Sequence, residues 1–577
     1  MKFKLYTVSF LCMLACCGCS SFLDEDVYSL REEEGMFTKY EDAEMAVKGI
    51  YTILSSNKGY RAPWQCLGTY GTDESINYMS GIQNANFYRV SNFSHTAGDP
   101  RIADLYQNIY SAVMHANEAY WQIEEMTCID RDKKNVLQAE ALFLRSFLYF
   151  NLVQLWGDVR LVVDKPNFYN VTDRNVVRTP LKDVYAQIVS DIEFAKQYLP
   201  LSYEQGNIGR ATKYAAYGMA AKIYLTMASG SKFGVAGYDF DSREYYRLAK
   251  ENAYAVMTDG KAKTGCDLLP VYGDVFSADN KYNKEILFDV TFCIGGPGNG
   301  YPKMGGPQGG GKYPYYVSGW AGRCYLRPSM YLALTAYGHT TMTVTENDMI
   351  TEFSSDDVRF RFNIATFKIN TNTGLPDPAL LTNPTQWSVC KFSMRTHTIE
   401  GYAWQNVPMN HPVLRYSDVL LMYAEAAGML NLADQTAYDA VNLVRQRARA
   451  AGTTPSYLAD WNPGDFADED AFTDAILDER LREFCFEGHR RFDLLRTSRL
   501  FSAIDRMKSA ATAIGEAFPY GTFPETVYAA DITNQKYDVN VKPYHVLFPI
   551  PQYEMNIVTN PQYRQNPGWP ASNNDYE

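Results

Sequence analysis

The sequence predicts a mostly all-α protein, built from tetratricopeptide-like helix pairs that form a scaffold, with long loop-rich insertions and a few short strands. Three observations predict this. Most periodic segments repeat apolar residues at i, i+3, i+4 and i+7, the stripe of an amphipathic helix. The helical segments follow one another as pairs with short or loop-rich joins, without a clean period of roughly 34 residues. Hydrophobic residues make up 46% of the 577 positions, enough to close a core.

The chain opens with two lysines and no acid in Met1 to Lys4, followed by an almost wholly apolar run from Leu5 to Ala15. That run is shorter than the ~20 residues a membrane-spanning helix needs, so residues 1–18 read as a secretory signal peptide. Four of the 11 cysteines (Cys12, Cys16, Cys17 and Cys19) crowd into the first 19 residues. Gly18 before Cys19 resembles a bacterial lipobox, and makes Cys19 the expected lipid acceptor; Cys16 after Ala15 is the alternative. Several acyl chains on one cysteine hold a protein at a membrane better than one chain does. The acids behind it (Asp24, Glu25, Asp26, Glu32, Glu33 and Glu34) make residues 19–40 a lipidated acidic tail that repels itself and stays extended. No later stretch reads as long and apolar enough to cross a membrane, so the lipid is the only expected membrane contact.

Residues 41–260 read as an N-terminal helical region. Glu41 to Ser55 carries the stripe Ala43, Ala46, Val47, Ile50, Tyr51 and Leu54, and Ile102 to Met126 repeats the pattern. Asn135 to Trp156 ends at Gly157, a helix-stopping residue. Leu181 to Tyr198 follows a Thr-Pro start and stops before Pro200. Ala211 to Ala228 and Glu244 to Met257 complete the set. The C-terminal region, 261–577, changes texture. Gly295 to Gly311 holds nine glycines and three prolines, a long loop of the kind that tends to be functional. Strand-like runs occur at Glu285 to Val290 and Arg359 to Ile369. Helical pattern resumes at Ser417 to Leu430, Ala437 to Ala450 and Asp470 to Phe486, and from Asn540 the chain reads as proline-bearing loop.

Charge and motifs exclude several functions. Net charge is -12, and removing Lys2 and Lys4 with the signal peptide takes it to -14. At a pI of about 5.3 a nucleic acid or an anionic membrane surface is a poor partner. The seven later cysteines are odd in number, far apart and without C-x-x-C spacing, and the seven histidines show no metal spacing. Gly306-x-x-x-x-Gly311-Lys312 lacks the Ser or Thr of a phosphate loop, since Tyr313 follows and Pro314 interrupts the helix. No G-x-S-x-G elbow occurs. No cofactor, no metal and no catalytic residue are expected. Glu479, Glu483 and Glu487 lie four apart on one helix face. With Arg480, Arg490, Arg491, Asp493, Asp418 and Glu425 they read as ion-pair networks tying helices together, not as a carboxylate pair for glycoside hydrolysis. His489 reads as a packing or capping residue.

Five stretches, in order, carry a resemblance: "AEALFLRSFLYFNLVQLWGDVRLV" (Ala139 to Val162), "GRATKYAAYGMAAKIYLTM" (Gly209 to Met227), "HPVLRYSDVLLMYAEAAGMLN" (His411 to Asn431), "ILDERLREFCFEGHRRFDLLR" (Ile476 to Arg496) and "LFPIPQYEMNIVTNPQYRQNPGW" (Leu547 to Trp569). Together with the opening "CSSFLDED" they resemble the SusD/RagB family, the surface glycan-binding lipoproteins of Bacteroidetes. Arg160 departs from the family, which often has proline there. The resemblance implies an outer-membrane, cell-surface lipoprotein that is not an enzyme. It implies glycan capture and delivery to a SusC-like TonB-dependent transporter, with this chain as the lid. Peptide capture of the RagB kind, or a lid with little affinity of its own, are the alternatives. The implied ligand site is an arc of aromatics on loops leaving the scaffold. Two segments fit it: Gly59 to Tyr78 and Tyr313 to Tyr325. Trp64 and Trp320 are the expected stacking plates, Tyr70, Tyr78 and Tyr316 further plates, and Asp73, Glu74 and Asn77 the groups for sugar hydroxyls. Trp121 and Trp156 lie on helical stripes and read as core.

Overall fold

The computed structural model describes residues 37–570 except 62, 78–84, 166–173, 294–295, 297, 303–305, 307–325, 339–340, 345–349, 370–375, 381–386, 393–406, 453 and 518–538. The N-terminal region is a run of antiparallel helices. Tyr40–Leu54 buries Ala43, Val47, Ile50 and Leu54, the stripe read from the sequence. Pro100–Glu125 and Arg131–Trp156 pack on each other, then Leu181–Tyr198, Lys213–Lys232 and Ser242–Ala255 continue the stack. Asp99, Asp130, Thr212 and Asp241 cap four of these helices by accepting from backbone N–H groups in the first turn, which satisfies donors the helix leaves open. Gly157 ends its helix at φ +70°.

The Arg131–Trp156 helix corrects one expectation. It is long and apolar enough to cross a membrane by composition, but 94% of its apolar window is buried inside the protein. It is the central helix of the scaffold. Arg145 on this helix forks onto both oxygens of Asp191 at 2.7 Å. Arg210 joins Glu140 (2.8 and 2.5 Å) to Glu44 (2.5 Å), tying the first and central helices to the run into Lys213–Lys232. Trp156 is buried with its indole donating to Pro549 O; Trp121, half-buried, donates to Val163 O.

The C-terminal region adds Tyr416–Leu430 and Gln435–Arg447, another antiparallel pair, and Glu469–Phe484, Arg490–Arg496 and Leu500–Ala517. Tyr416–Leu430 packs against Ser242–Ala255 and so continues the N-terminal stack. Among the described residues the strands form five two-stranded antiparallel sheets. Arg359 to Ile369, expected as strand, starts as the helix Val358–Asn363 because Asp357 caps it, accepting from Arg359 N at 3.0 Å; only Ile364–Ala365 and Phe367–Ile369 are extended. The end of the chain is not free loop. Phe548 N donates to Leu155 O (2.8 Å), and the Asn566 amide donates to Trp156 O and Phe548 O, clamping residues 547–569 onto the end of the central helix.

Candidate functional site

The first candidate segment is folded inward. Its Pro and Gly residues suggest loop, yet Pro63–Thr69 is a short helix with every residue buried, and Ser75–Asn77 is a buried strand. Trp64 is 4% exposed. It stacks on Tyr60 (ring centroids 4.4 Å apart) and on Phe147 (5.6 Å), two rings that themselves lie 6.3 Å apart. Tyr70 is fully buried. Asp73 is buried and accepts from Arg490 Nε and Nη2, both at 2.7 Å, and from Arg506 Nη2 at 3.0 Å. Burial pushes its carboxyl up, but the two arginines outweigh burial and hold it down. Asn77 is buried too, its N–H donating to Ser91 Oγ at 3.1 Å. The expectation that Trp64, Tyr70, Asp73 and Asn77 face solvent is therefore corrected. Burial of the interspersed Tyr60, Trp64, Cys66, Leu67, Tyr70 and Ile76 carries the segment into the core, and Asp73 goes in paired with arginine.

Glu74 is the exception to that pairing. One oxygen accepts from Phe486 N at 3.2 Å; the other has no hydrogen-bond partner among the described residues. Burial pushes this carboxyl up to about 8.

Described residues on either side of the second candidate segment are fastened to the first. Before it, Gly300 N donates to Arg61 O (3.1 Å), Asn299 pairs with Val407, and the hydroxyls of Tyr301 and Thr69 meet at 3.4 Å. After it, Leu326–Pro328 pairs antiparallel with Ser75–Asn77. Ser329 N then donates to Glu74 O (3.0 Å) and Ser329 Oγ to Asp73 O (2.5 Å). Residues 299–301 and 326–329 thus form one base with the first segment, though hundreds of residues separate them. Trp320, Tyr316, Tyr78 and Cys19, the expected lipid acceptor, lie outside the described residues.

Beneath that base runs the ion network. Arg415 grips Glu487 with Nε and Nη2, both at 2.8 Å, and reaches Glu285 (2.7 Å) and Glu483 (3.1 Å) with Nη1. Arg447 also pairs Glu285 (2.5 Å) with Glu483. Arg359 and Arg445 converge on Glu479 at 2.6 and 2.8 Å, and Lys391 donates to Glu487 at 2.9 Å. Burial opposes ionisation of Glu483 and Glu487, but their arginines and Lys391 prevail, and both carboxyls sit at about 2. A second cluster links Asp418, Arg480, Asp493, Arg496 and Glu425. There Lys222 donates to both Asp418 (3.0 Å) and His489 Nδ1 (2.9 Å), and burial pushes His489 down to about 3. The reading of these acids as helix ties holds, with two refinements. Arg490 serves Asp73, and Arg491 donates to His545 O instead of joining the carboxylates.

The network has a mechanical role. It fixes residues 485–489, where Phe486 and Gly488 adopt φ +66° and +81°. Gly68 packs directly against the Gly488 backbone. His411 lies 5.4 Å from the Tyr60 ring and its Nε2 is 3.1 Å from Glu487 O. Sequence reading missed His411, Asn299 and Tyr301 as parts of the base, because each acts through contacts far away in the chain and leaves no local signal.

Paired helices packed on a base of buried side chains and short strands define a helical scaffold of the SusD type. The chain belongs to the SusD/RagB family. The SusD family profile matches residues 284–569, and a second profile, "Starch-binding associating with outer membrane", matches residues 21–225. The SusD-like protein P25 of Formosa agariphila is 24% identical, aligned over all of both chains. The fold is similar to that of a SusD homolog from Bacteroides thetaiotaomicron, with a TM-score of 0.74 at 23% identity over 93% of this chain and 99% of that one. It is also similar to surface glycan-binding protein A of the same organism, solved in complex with laminarihexaose, with a TM-score of 0.66 at 19% identity over 91% and 99% of the two chains.

Proposed function

We propose that this protein is a cell-surface lipoprotein that captures oligosaccharide or polysaccharide and delivers it to a SusC-like TonB-dependent transporter in the outer membrane. The observation that carries the reading is the match to the SusD/RagB family across both halves of the chain, in a fold similar to that of a relative holding laminarihexaose. Two further features support it. The chain is acidic, which suits a neutral polymer that needs no basic patch. The base formed by residues 59–77, 299–301 and 326–329 gives the Trp320-bearing segment a rigid footing, and preorganised footing lowers the entropic cost of binding.

In this reading Trp320 is the principal stacking plate, with Tyr316 and Tyr78 beside it. Trp64, Tyr70, Asp73 and Asn77 serve by shaping the base. The Cys19 lipid tethers the lid beside its pore and raises the effective concentration of one for the other. The test is calorimetric titration of lipid-free protein (residues 20–577) against plant, microbial and host polysaccharides, with Trp320→Ala alongside. Binding of one glycan class that the variant loses supports capture. Silence across the panel sinks it and favours peptide cargo or a lid without its own affinity.

A further inference from the structure

A cleft of about 300 Å³ opens between residues 201–212, which lead into the Lys213–Lys232 helix, and residues 282–289. Its described lining includes nothing from residues 59–77, so it is separate from the base described above. The volume lies at the small end of the ~300–1,000 Å³ range of small-molecule sites. Leu201 and Ile208 on its rim are 43% and 48% exposed, an open apolar edge.

The walls are built, not incidental. Arg210 lies over one face of Tyr203, 4.7 Å from the ring centroid, and is itself locked by Glu140 and Glu44. Tyr282 is held at φ +55°, a left-handed conformation that costs a bulky residue free energy. Its ring passes so close to Gly209 that a Cβ there would come within 2.8 Å of it. Its hydroxyl donates to Thr291 Oγ1 at 3.2 Å. Two aromatic walls are thus fixed in advance.

Asp289 supplies the polar group. It is 4% exposed. Its Oδ2 accepts from the Asn410 amide at 2.8 Å, while Oδ1 has no hydrogen-bond partner among the described residues. A buried acceptor left unpaired costs about 1–3 kcal/mol, which a hydroxyl donor from a ligand would remove. Burial pushes this carboxyl up to about 7, outweighing the Asn410 amide, the Lys281 charge and the Thr291 hydroxyl, which pull it down. The cations in the lining do not offer an anion site: Arg210 is committed to two carboxylates, and Lys284 lies 3.8 Å from Asp267.

We infer that this cleft is a second carbohydrate subsite, taking one or two pyranose rings against Tyr203 and Tyr282, with Asp289 Oδ1 accepting from a sugar hydroxyl. The inference rests on the glycan-capture reading for its choice of ligand class. A second subsite would hold one polymer chain at two points and slow its escape.

The test is saturation-transfer NMR on lipid-free protein with methyl β-glucopyranoside, methyl β-galactopyranoside and methyl α-mannopyranoside as probes. Wild type and Trp320→Ala should both transfer magnetisation to the ring protons of at least one probe. Asp289→Asn keeps the Asn410 contact through its amide oxygen but presents a donor to the ligand. It should weaken binding by about tenfold, the loss of one charge-assisted hydrogen bond. Tyr203→Ala should abolish the signal and Tyr203→Phe should keep it, which separates loss of the plate from misfolding. No transfer in wild type, or transfer unchanged in both Asp289→Asn and Tyr203→Ala, overturns the subsite. The two readings fail differently. Flat polysaccharide isotherms with a Tyr203-dependent glycoside signal sink capture alone, and the reverse pattern sinks the cleft alone.

Discussion

Glu483→Gln tests the physical account of the base. The Glu483 carboxylate is fully buried and faces Arg447, Arg415 and Arg359. Its carboxyl is held at about 2 against an ordinary 4.5. At about 1.36 kcal/mol per pH unit this corresponds to roughly 3 kcal/mol of stability at neutral pH. The loss of one partner from a buried ion pair independently suggests about 3–5 kcal/mol. With an unfolding entropy of roughly 2.1 cal/mol/K per residue over about 560 residues, 3 kcal/mol lowers Tm by about 3 °C. The folded pKa is depressed, so the stabilisation is complete above about 4.5 and is lost as pH falls through about 2. Circular-dichroism melts of wild type and variant from pH 7 to pH 2.5 should therefore converge as the pH falls. A variant as stable as wild type at pH 7 would mean that the Glu483 ion pairs contribute nothing, and so would a gap that does not narrow in acid.

Four further outcomes follow from the same geometry. Trp64→Ala empties a stack bounded by Tyr60 and Phe147 and should cost about 3–5 kcal/mol in urea unfolding; an unchanged midpoint would mean the ring is not packed there. Gly68→Ala drives a methyl into the Gly488 backbone, where no side chain can yield, and should cost about 1–3 kcal/mol while weakening glycan binding if the base matters. Glu74→Gln should gain on wild type as pH rises from about 4.5 to about 8, because the folded carboxyl, raised to about 8 by burial, keeps a proton the unfolded chain releases; melts that track each other over that window would contradict it. Cys19→Ser should move the protein from the membrane fraction to the soluble fraction, and an unchanged distribution would direct attention to Cys16.

Local pattern carried the helices. Leu181 to Tyr198 was legible residue for residue, because a Thr-Pro start, a 3.6-residue stripe and a following proline all lie within the 22 positions 179–200. Arg359 to Ile369 was misread because its apolar alternation imitates a strand, while the decisive fact is the Asp357 cap and the long reach of Arg359 to Glu479 and Glu483. The same limit applies to the site. Spacing showed that Glu479, Glu483 and Glu487 share a face, and arginines nearby showed that they would be paired. Their actual partners, Arg415 and Arg447 among them, come from other elements, and nothing in a single sequence encodes that meeting. Trp64 looked like a plate because glycine and proline surround it. Its burial depends on Phe147, which only the fold brings alongside.

The Asp73–Arg490 fork spans 417 positions of sequence. During synthesis the first of these residues leaves the ribosome long before the second exists. Until then Asp73 has no guanidinium to receive it, and a carboxylate cannot enter an apolar interior alone. The strand Ser75–Asn77 likewise waits for Leu326–Pro328, and the central helix waits for residues 548–566 to cover its end. The N-terminal helices can therefore form early, but the base cannot close until almost the whole chain has been made. Such long-range closure folds slowly.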